Sequence, residues 1–483
     1  MPNSVARRAG ALVLAGFACA LASCATGIAA AAEDARLIEP QAQMARVQAQ
    51  LRQLGEENRA LRERLARIER SLAQLTGALA PPSASVSPGV PAPRVADSSA
   101  LPTPPTPSMP SMSSTAGAAP LTGGVRLWGY GEMYYVDPTR DANQARADLA
   151  RAVFGLGYSF DERTEFNSEY ELEHAVASGS DAGEFEVEQF YVDRRVSEAL
   201  GARAGLILMP FGFLNEHHEP TRFYGVQRNF VETLIIPSTW REGGLSLHGD
   251  SRAGLGWSFG LTTGFDVSKW DFAAAVPPYT SALGLENSGA APLQATHQEL
   301  SLANARHLSQ YAALGYYGIP ALLLGGAIST GESSAPGDPR VTLWEAHARW
   351  TPAKLDLSAL YARGSISNTG PLNAAHPSSA NPLPASFYGY FLQGAYRLWE
   401  QGAYRAAPFV RWERYNLGAG YAGTRGPVIP PGLSALWPRS EDRVWSAGAN
   451  LYVGAHLVVK GDYQWFELNP GFRRFDLGLG VSF

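Results

Sequence analysis

From Val125 onward, apolar and polar side chains alternate one for one over stretch after stretch of the chain. Leu255, Trp257, Phe259 and Leu261 share one side of an extended run, and Gly256, Ser258, Gly260 and Thr262 share the other. Leu457, Val459, Tyr463 and Trp465 likewise oppose His456, Lys460, Asp462 and Gln464. In the final run, Phe475, Leu477, Leu479, Val481 and Phe483 oppose Asp476, Gly478, Gly480 and Ser482. A period of two marks β-strands. Runs of this kind predict sixteen strands, at 125–136, 147–160, 164–176, 184–196, 201–209, 241–250, 254–265 and 308–318, then at 320–330, 341–351, 353–363, 385–397, 403–415, 441–453, 455–466 and 473–483. Apolar outward and polar inward is the reverse of a soluble barrel and suits a wall between lipid and water.

A soluble sandwich also alternates, so the connections decide. Links after even-numbered strands are tight, as at Asp161-Glu162-Arg163, Ser251-Arg252-Ala253 and the turns centred on Ile319, Pro352 and Gly454. Links after odd-numbered strands include the long ones: 31 residues from Pro210 to Trp240, 42 from Asp266 to His307, 21 from Gly364 to Pro384 and 25 from Asn416 to Ser440. Sorting by length gives the sheet two unlike rims, one outside the cell and one periplasmic. The expected fold is all-β: a 16-stranded antiparallel transmembrane β-barrel over 123–483, with an N-terminal α-helical coiled coil. A strand ending on an aromatic such as Phe483 is also what the outer-membrane assembly machinery recognises.

Ahead of the barrel the pattern changes three times. Residues 1–32 carry Arg7 and Arg8, an apolar small-residue core and Ala30-Ala31-Ala32, the signature of a signal peptide. Leu21-Ala22-Ser23-Cys24 also matches a lipobox, and Gly10 to Ala32 is just long enough for an uncleaved anchor. The abundance of Ala and Gly over Leu favours cleavage after Ala32. Over 41–79 apolar residues step by three and four from Met44 through Val47, Leu51, Leu54, Leu61, Leu65, Ile68, Leu72 and Leu75 to Leu79, with Asn58 in the seam. This is a coiled coil of five heptads, about 54 Å long. Residues 80–122 hold 11 prolines and 9 serines, the composition of an extended tether.

Composition sharpens the picture. Gly 50, charged residues at 17% and three lysines against 36 arginines are unusual for a soluble enzyme of 483 residues. Both cysteines, Cys19 and Cys24, fall in the leader, so the remainder has no thiol chemistry. The net charge of −5 makes no case for nucleic acid. No nucleophile elbow, phosphate loop or hydrolase triad stands in the barrel, so an enzyme is disfavoured and no cofactor is expected.

Alternation places an acidic stripe on the inner wall, Glu165, Glu169, Glu171 and Glu173 followed by Glu184, Glu186 and Glu188. Basic inner positions come from elsewhere: Arg151, Arg203, Arg349, Arg397, Arg405 and Arg411. Opposed charges at a constriction would set up a field across it; paired along the wall, they would only keep the lumen wet. The long loop from Pro210 to Trp240, third on its rim, is the expected constriction loop, through Asn215, Glu216, His217, His218, Glu219, Arg222 and Arg228, with Tyr224 and Glu232 nearby. Its paired histidines lack the helical spacing that would set ligands on one face, so no metal is expected there.

Gly205-Leu206-Ile207-Leu208-Met209-Pro210-Phe211-Gly212, the run Asn215 to Pro220, Phe223-Tyr224-Gly225 and Ile236 to Gly244 together resemble the phosphate-selective porin O and P family. The resemblance implies a homotrimeric outer-membrane channel, with a periplasmic N-terminal coiled-coil extension, passing small anions. Residues 123–483 carry 28 Lys and Arg against 36 Asp and Glu, which departs from an anion channel. The expected function is passive diffusion of small hydrophilic solutes, anions among them. The expected partners are outer-membrane lipid, two further copies of the chain and, through the coil, peptidoglycan. The rival reading is a plugged barrel anchoring the membrane to the cell wall.

Overall fold

The computed structural model describes residues 124–139, 145–175, 183–274, 290–429, 440–468 and 473–483. The leader at 1–32, the coiled coil at 41–79 and the tether at 80–122 lie outside the described residues. The first strands are β1 (Val125–Pro138), β2 (Arg146–Ser159), β3 (Thr164–Glu173), β4 (Phe185–Arg195), β5 (Gly201–Leu208) and β6 (Arg241–Asp250). Then come β7 (Leu255–Thr262), β8 (Ser309–Ile319), β9 (Leu322–Glu332), β10 (Arg340–Trp350), β11 (Leu355–Ile366) and β12 (Ser386–Tyr396). The last are β13 (Trp399–Gln401), β14 (Tyr404–Gly420), β15 (Glu441–Val453), β16 (Leu457–Phe466) and β17 (Arg473–Ser482).

Apart from β12 and β13, each strand pairs antiparallel with its neighbour in sequence, and β1 pairs with β17 to close the sheet. β14 pairs first with β13 and then with β12, so those two are one stave broken at Arg397-Leu398, and the barrel has sixteen staves. Observed ends lie within a few residues of those read from alternation, and 241–250 and 441–453 coincide. β14 is the main exception: it runs on to Gly420, where alternation ends at 415. A closed barrel leaves no edge strand unpaired.

The exposed side carries the grease. On β7, Leu255, Phe259 and Leu261 are 40–49% exposed while Ser258 and Thr262 are buried. On β17, Phe475, Leu477 and Val481 are exposed and Arg474 and Asp476 are buried. At the seam Gly129 and Phe483 exchange backbone hydrogen bonds of 3.1 and 2.8 Å. Two glycines make room for aromatics. A Cβ on Gly155 would lie 1.8 Å from the Trp128 indole, and one on Gly129 would lie 2.5 Å from the Phe483 ring.

The polar-in rule breaks on one side of the lumen. Leu343, Leu360, Phe387, Phe391, Tyr415, Val444 and Phe466 are buried there, in one cluster with Phe230, Val231, Leu234, Ile235 and Ile236 of the connection between β5 and β6. That connection therefore folds into the barrel and lays its apolar face on the β10–β16 wall. Each of these loop side chains, nearly removed from water, contributes roughly 1.5–3 kcal/mol, so apolar packing outweighs any single polar contact in holding the loop. Pure alternation could not show this, because an inward apolar residue needs a partner supplied from elsewhere in the chain.

The loop is also tied at its root. Asn215 Nδ2 donates to the Met209 and Trp240 carbonyls at 2.7 and 2.8 Å, and its Oδ1 accepts from the Trp240 amide at 2.6 Å. Glu232 caps the next turn, accepting from the Phe213 and Leu214 amides and from Asn229 Nδ2. Trp240 packs between Phe211 and Phe265, both ring centroids at 4.9 Å.

Candidate functional site

With its apolar face on one wall, the β5–β6 loop turns Val226, Gln227, Arg228, Ser238 and Thr239 toward the opposite one. Between them lies a recess of about 360 Å³. Its barrel side is acidic: Glu132 from β1, Glu171 and Glu173 from β3, Glu184 just before β4, and Glu186 on β4. Arg151, Arg228 and Arg241 supply the positive charge, with His297 and Glu299 from the β7–β8 connection closing one side.

The charges are partly paired. Arg151 Nε donates to Glu132 at 2.7 Å, and Arg241 lies 2.5 Å from Glu186 and 3.1 Å from Glu299. Arg228 donates to Ser238 Oγ at 2.6 Å and Thr239 Oγ1 at 3.0 Å. Burial and then the adjacent Arg151 guanidinium push Arg228 below its usual value. The Glu171 carboxyl is buried against that of Glu188, and its Oε1 receives no hydrogen bond from any other described residue. Glu299 is held below the usual carboxylate range: burial works against its charge, but His297 and Arg241 more than offset it.

Two bulges shape this wall. Opposite Glu132 and Met133, β2 inserts Ala150 between Arg151 and Leu149, and opposite Glu169 and Tyr170, β4 inserts Glu188 between Gln189 and Val187. An extra residue re-aims side chains locally. Glu188 so placed is fully buried beside Glu169 and the loop's His218. Burial alone would lower His218, but Glu188 and Glu169 raise it to about 9. Trp128, lying on Gly155, donates to Glu169 Oε2 at 3.0 Å.

The acidic residues read from alternation thus gather in one region, except Glu165, which pairs with Arg126 at 2.7 Å near the short-turn rim. The basic set is dispersed. Arg203 pairs with Asp193 at 2.9 Å, Arg349 with Asp356 at 2.6 Å and Arg411 with Glu413 at 3.0 Å. Arg405 sits 4.0 Å over the Tyr452 ring. Arg397 is at the short-turn rim, donating to the Ala353 carbonyl and 3.6 Å from Glu400. Of that set only Arg151 faces the acidic stripe; its companions there are Arg228 and Arg241. Arg241 opens β6 and alternation gives it no partner, so its role was visible only once Glu186 and Glu299 stood beside it.

Within the loop, Asn215 is a structural tie, Glu219 and Arg222 pair with each other at 3.8 Å, and Glu216 and His217 are half-buried. Tyr224 donates to Asp356 at 3.1 Å and the Val226 amide to Asp462 at 2.6 Å, so the loop reaches across the lumen to β11 and β16.

No protein-family model matches the chain. A protein of Aquifex aeolicus (strain VF5), described as uncharacterized, is 28% identical over 357 residues, spanning 70% of this chain and 75% of its own. Among solved structures, the Salmonella typhi OmpF complex with daunomycin is similar over 75% of this chain and 99% of its own, at 12% identity and a TM-score of 0.50. An anion-selective porin from Comamonas acidovorans is similar over 74% and 99%, at 11% identity and a TM-score of 0.45. The chain is therefore a closed sixteen-stranded antiparallel barrel with the fold of an outer-membrane porin.

Proposed function

We propose that the protein is an outer-membrane channel for passive diffusion of small hydrophilic solutes, not an enzyme. The observation that carries the reading is the charged recess of about 360 Å³ inside an apolar-skinned closed barrel, narrowed by a loop folded in from one rim. Such a loop sets the bore, and the charges beside it set which solutes enter. Six carboxylates, Glu132, Glu171, Glu173, Glu184, Glu186 and Glu299, against three arginines favour cations over the anions that the phosphate-selective porin O and P family would pass. The channel works as a homotrimer, with the segment at 41–79 assembling as a periplasmic coiled coil that brings peptidoglycan within reach.

The test is purified protein in a planar bilayer. Stepwise conductance with a reversal potential of cation-preferring sign supports the channel. Absence of conductance from folded protein refutes it and favours the plugged anchor, a reading that gains from the extent to which the loop packs across the lumen. Deleting 41–79 lowers oligomer size if the coil holds three barrels together.

A further inference from the structure

Where the loop meets the acidic wall, four donor atoms converge out of reach of solvent. Glu169 lies on β3, Glu188 is the bulge residue of β4 and His218 comes from the loop, and all are at most 5% exposed. His218 Nε2 is 3.7 Å from Glu169 Oε1 and 3.6 Å from Glu188 Oε2. The Tyr130 hydroxyl is 2.6 Å from that nitrogen, 2.7 Å from Glu169 Oε1 and 3.4 Å from Glu188 Oε2. A tetrahedron around zinc, with ligands at roughly 2.0–2.1 Å, has edges of about 3.3 Å, and the observed separations bracket that length. We infer that Glu169, Glu188 and His218 bind one divalent transition-metal cation, with Tyr130 at the fourth corner.

Three observations carry this beyond a cluster of acids. The other imidazole nitrogen, Nδ1, is 3.0 Å from the Asn215 carbonyl, which can only accept, so Nδ1 bears a proton and Nε2 faces the carboxylates. Metal-bound histidines are held in this way, by a backbone acceptor on the far nitrogen. The buried carboxyls of Glu188 and Glu171 lie against each other, and neither Oε1 receives a hydrogen bond from any other described residue. Finally, the buried carboxylates of Glu169, Glu171 and Glu188 are three against Arg228 and the His218 ring, because Arg151 is committed to Glu132 and to the His218 carbonyl. Buried negative charge in excess must be neutralised. A lone imidazolium would neutralise one carboxylate, whereas a dication neutralises two.

One imidazole nitrogen with two carboxylates and a phenol suits zinc or another first-row divalent ion rather than magnesium or calcium, which take oxygen alone. The metal would clip the loop to β1, β3 and β4, on the side away from its apolar packing. This inference does not depend on what the barrel passes.

The experiment uses the full chain folded in detergent, stripped with EDTA, dialysed free of chelator and titrated with zinc, then separately with cobalt(II). One zinc per chain, and the visible bands of four-coordinate cobalt, are expected. Glu188→Gln and His218→Gln, each shown to be folded by its heat-shifted electrophoretic mobility, weaken zinc binding by more than about 100-fold. His456→Gln, at an exposed position, leaves it unchanged. Folded wild-type protein that takes up no zinc overturns the inference, and the imidazolium then stands alone. So does a folded Glu188→Gln or His218→Gln protein that keeps wild-type affinity. If neither variant folds, the wild-type zinc titration and cobalt spectrum decide.

Discussion

Replacing Asn215 by alanine removes the three side-chain hydrogen bonds by which it ties the two ends of the β5–β6 loop. The losses are unequal. The Met209 carbonyl still accepts from Phe211 at 2.8 Å and the Trp240 carbonyl from Met209 at 2.9 Å, but the Trp240 amide, in a residue 1% exposed, has no substitute. An orphaned buried donor costs about 1–3 kcal/mol and each lost neutral hydrogen bond about 0.5–1.5 kcal/mol. A water entering the vacated space recovers part of this, so about 2–4 kcal/mol remains, equivalent to a 30- to 1,000-fold rise in the opening equilibrium of the loop. Trypsin reads that equilibrium at Arg222 and Arg228, since cleavage tracks the open fraction when the loop recloses quickly. The side chain of Arg222 is already 49% exposed, so access to the site needs only backbone release. Cleavage of folded Asn215→Ala protein is expected to accelerate within that range, with the barrel itself intact by mobility. A rate equal to wild type would show that the apolar face alone fixes the loop and that the tie at its root is redundant.

Other predictions follow from single contacts. Gly155→Ala places a methyl group against Trp128 and breaks its 3.0 Å bond to Glu169, so folded yield drops and tryptophan emission shifts to the red. Removing Phe483 deletes both hydrogen bonds to Gly129 at the seam, and refolding into detergent is expected to slow and to leave more heat-insensitive material on gels. Glu171→Gln together with Glu173→Gln removes two of the six recess carboxylates, so the reversal potential in a salt gradient moves toward anion preference; an unmoved potential would place selectivity elsewhere. The Glu299 carboxyl, depressed in the fold, contributes stability above its unfolded value that is lost as pH falls through the lowered one. Protease protection of the β7–β8 connection should therefore hold at neutral pH and fail only below about pH 4.

The wall was legible because a two-residue period acts locally: Leu255 to Thr262 declare their faces without reference to any other strand. The acidic stripe was legible for the same reason, since Glu169, Glu171 and Glu173 keep step along β3. What alternation cannot carry is anything that depends on a second segment. Glu188 is aimed by a bulge whose position depends on pairing with β3, and His218 reaches it from the loop with no spacing to announce it. Phe387 and Phe391 point inward against the polar rule because Val231 and Ile235 cover them. Arg349 and Arg411 stay on the wall because Asp356 and Glu413 hold them there.

The pairing of β1 with β17 also governs when this chain can become a finished object. Every other ladder joins staves adjacent in sequence, but this one joins the first described strand to the last described one. Until β17 arrives, two full-length ribbons of unpaired amides and carbonyls face outward, and closing such a distant contact is slow. A chain halted anywhere before Arg473 would keep both ribbons bare, so closure of the wall waits on β17.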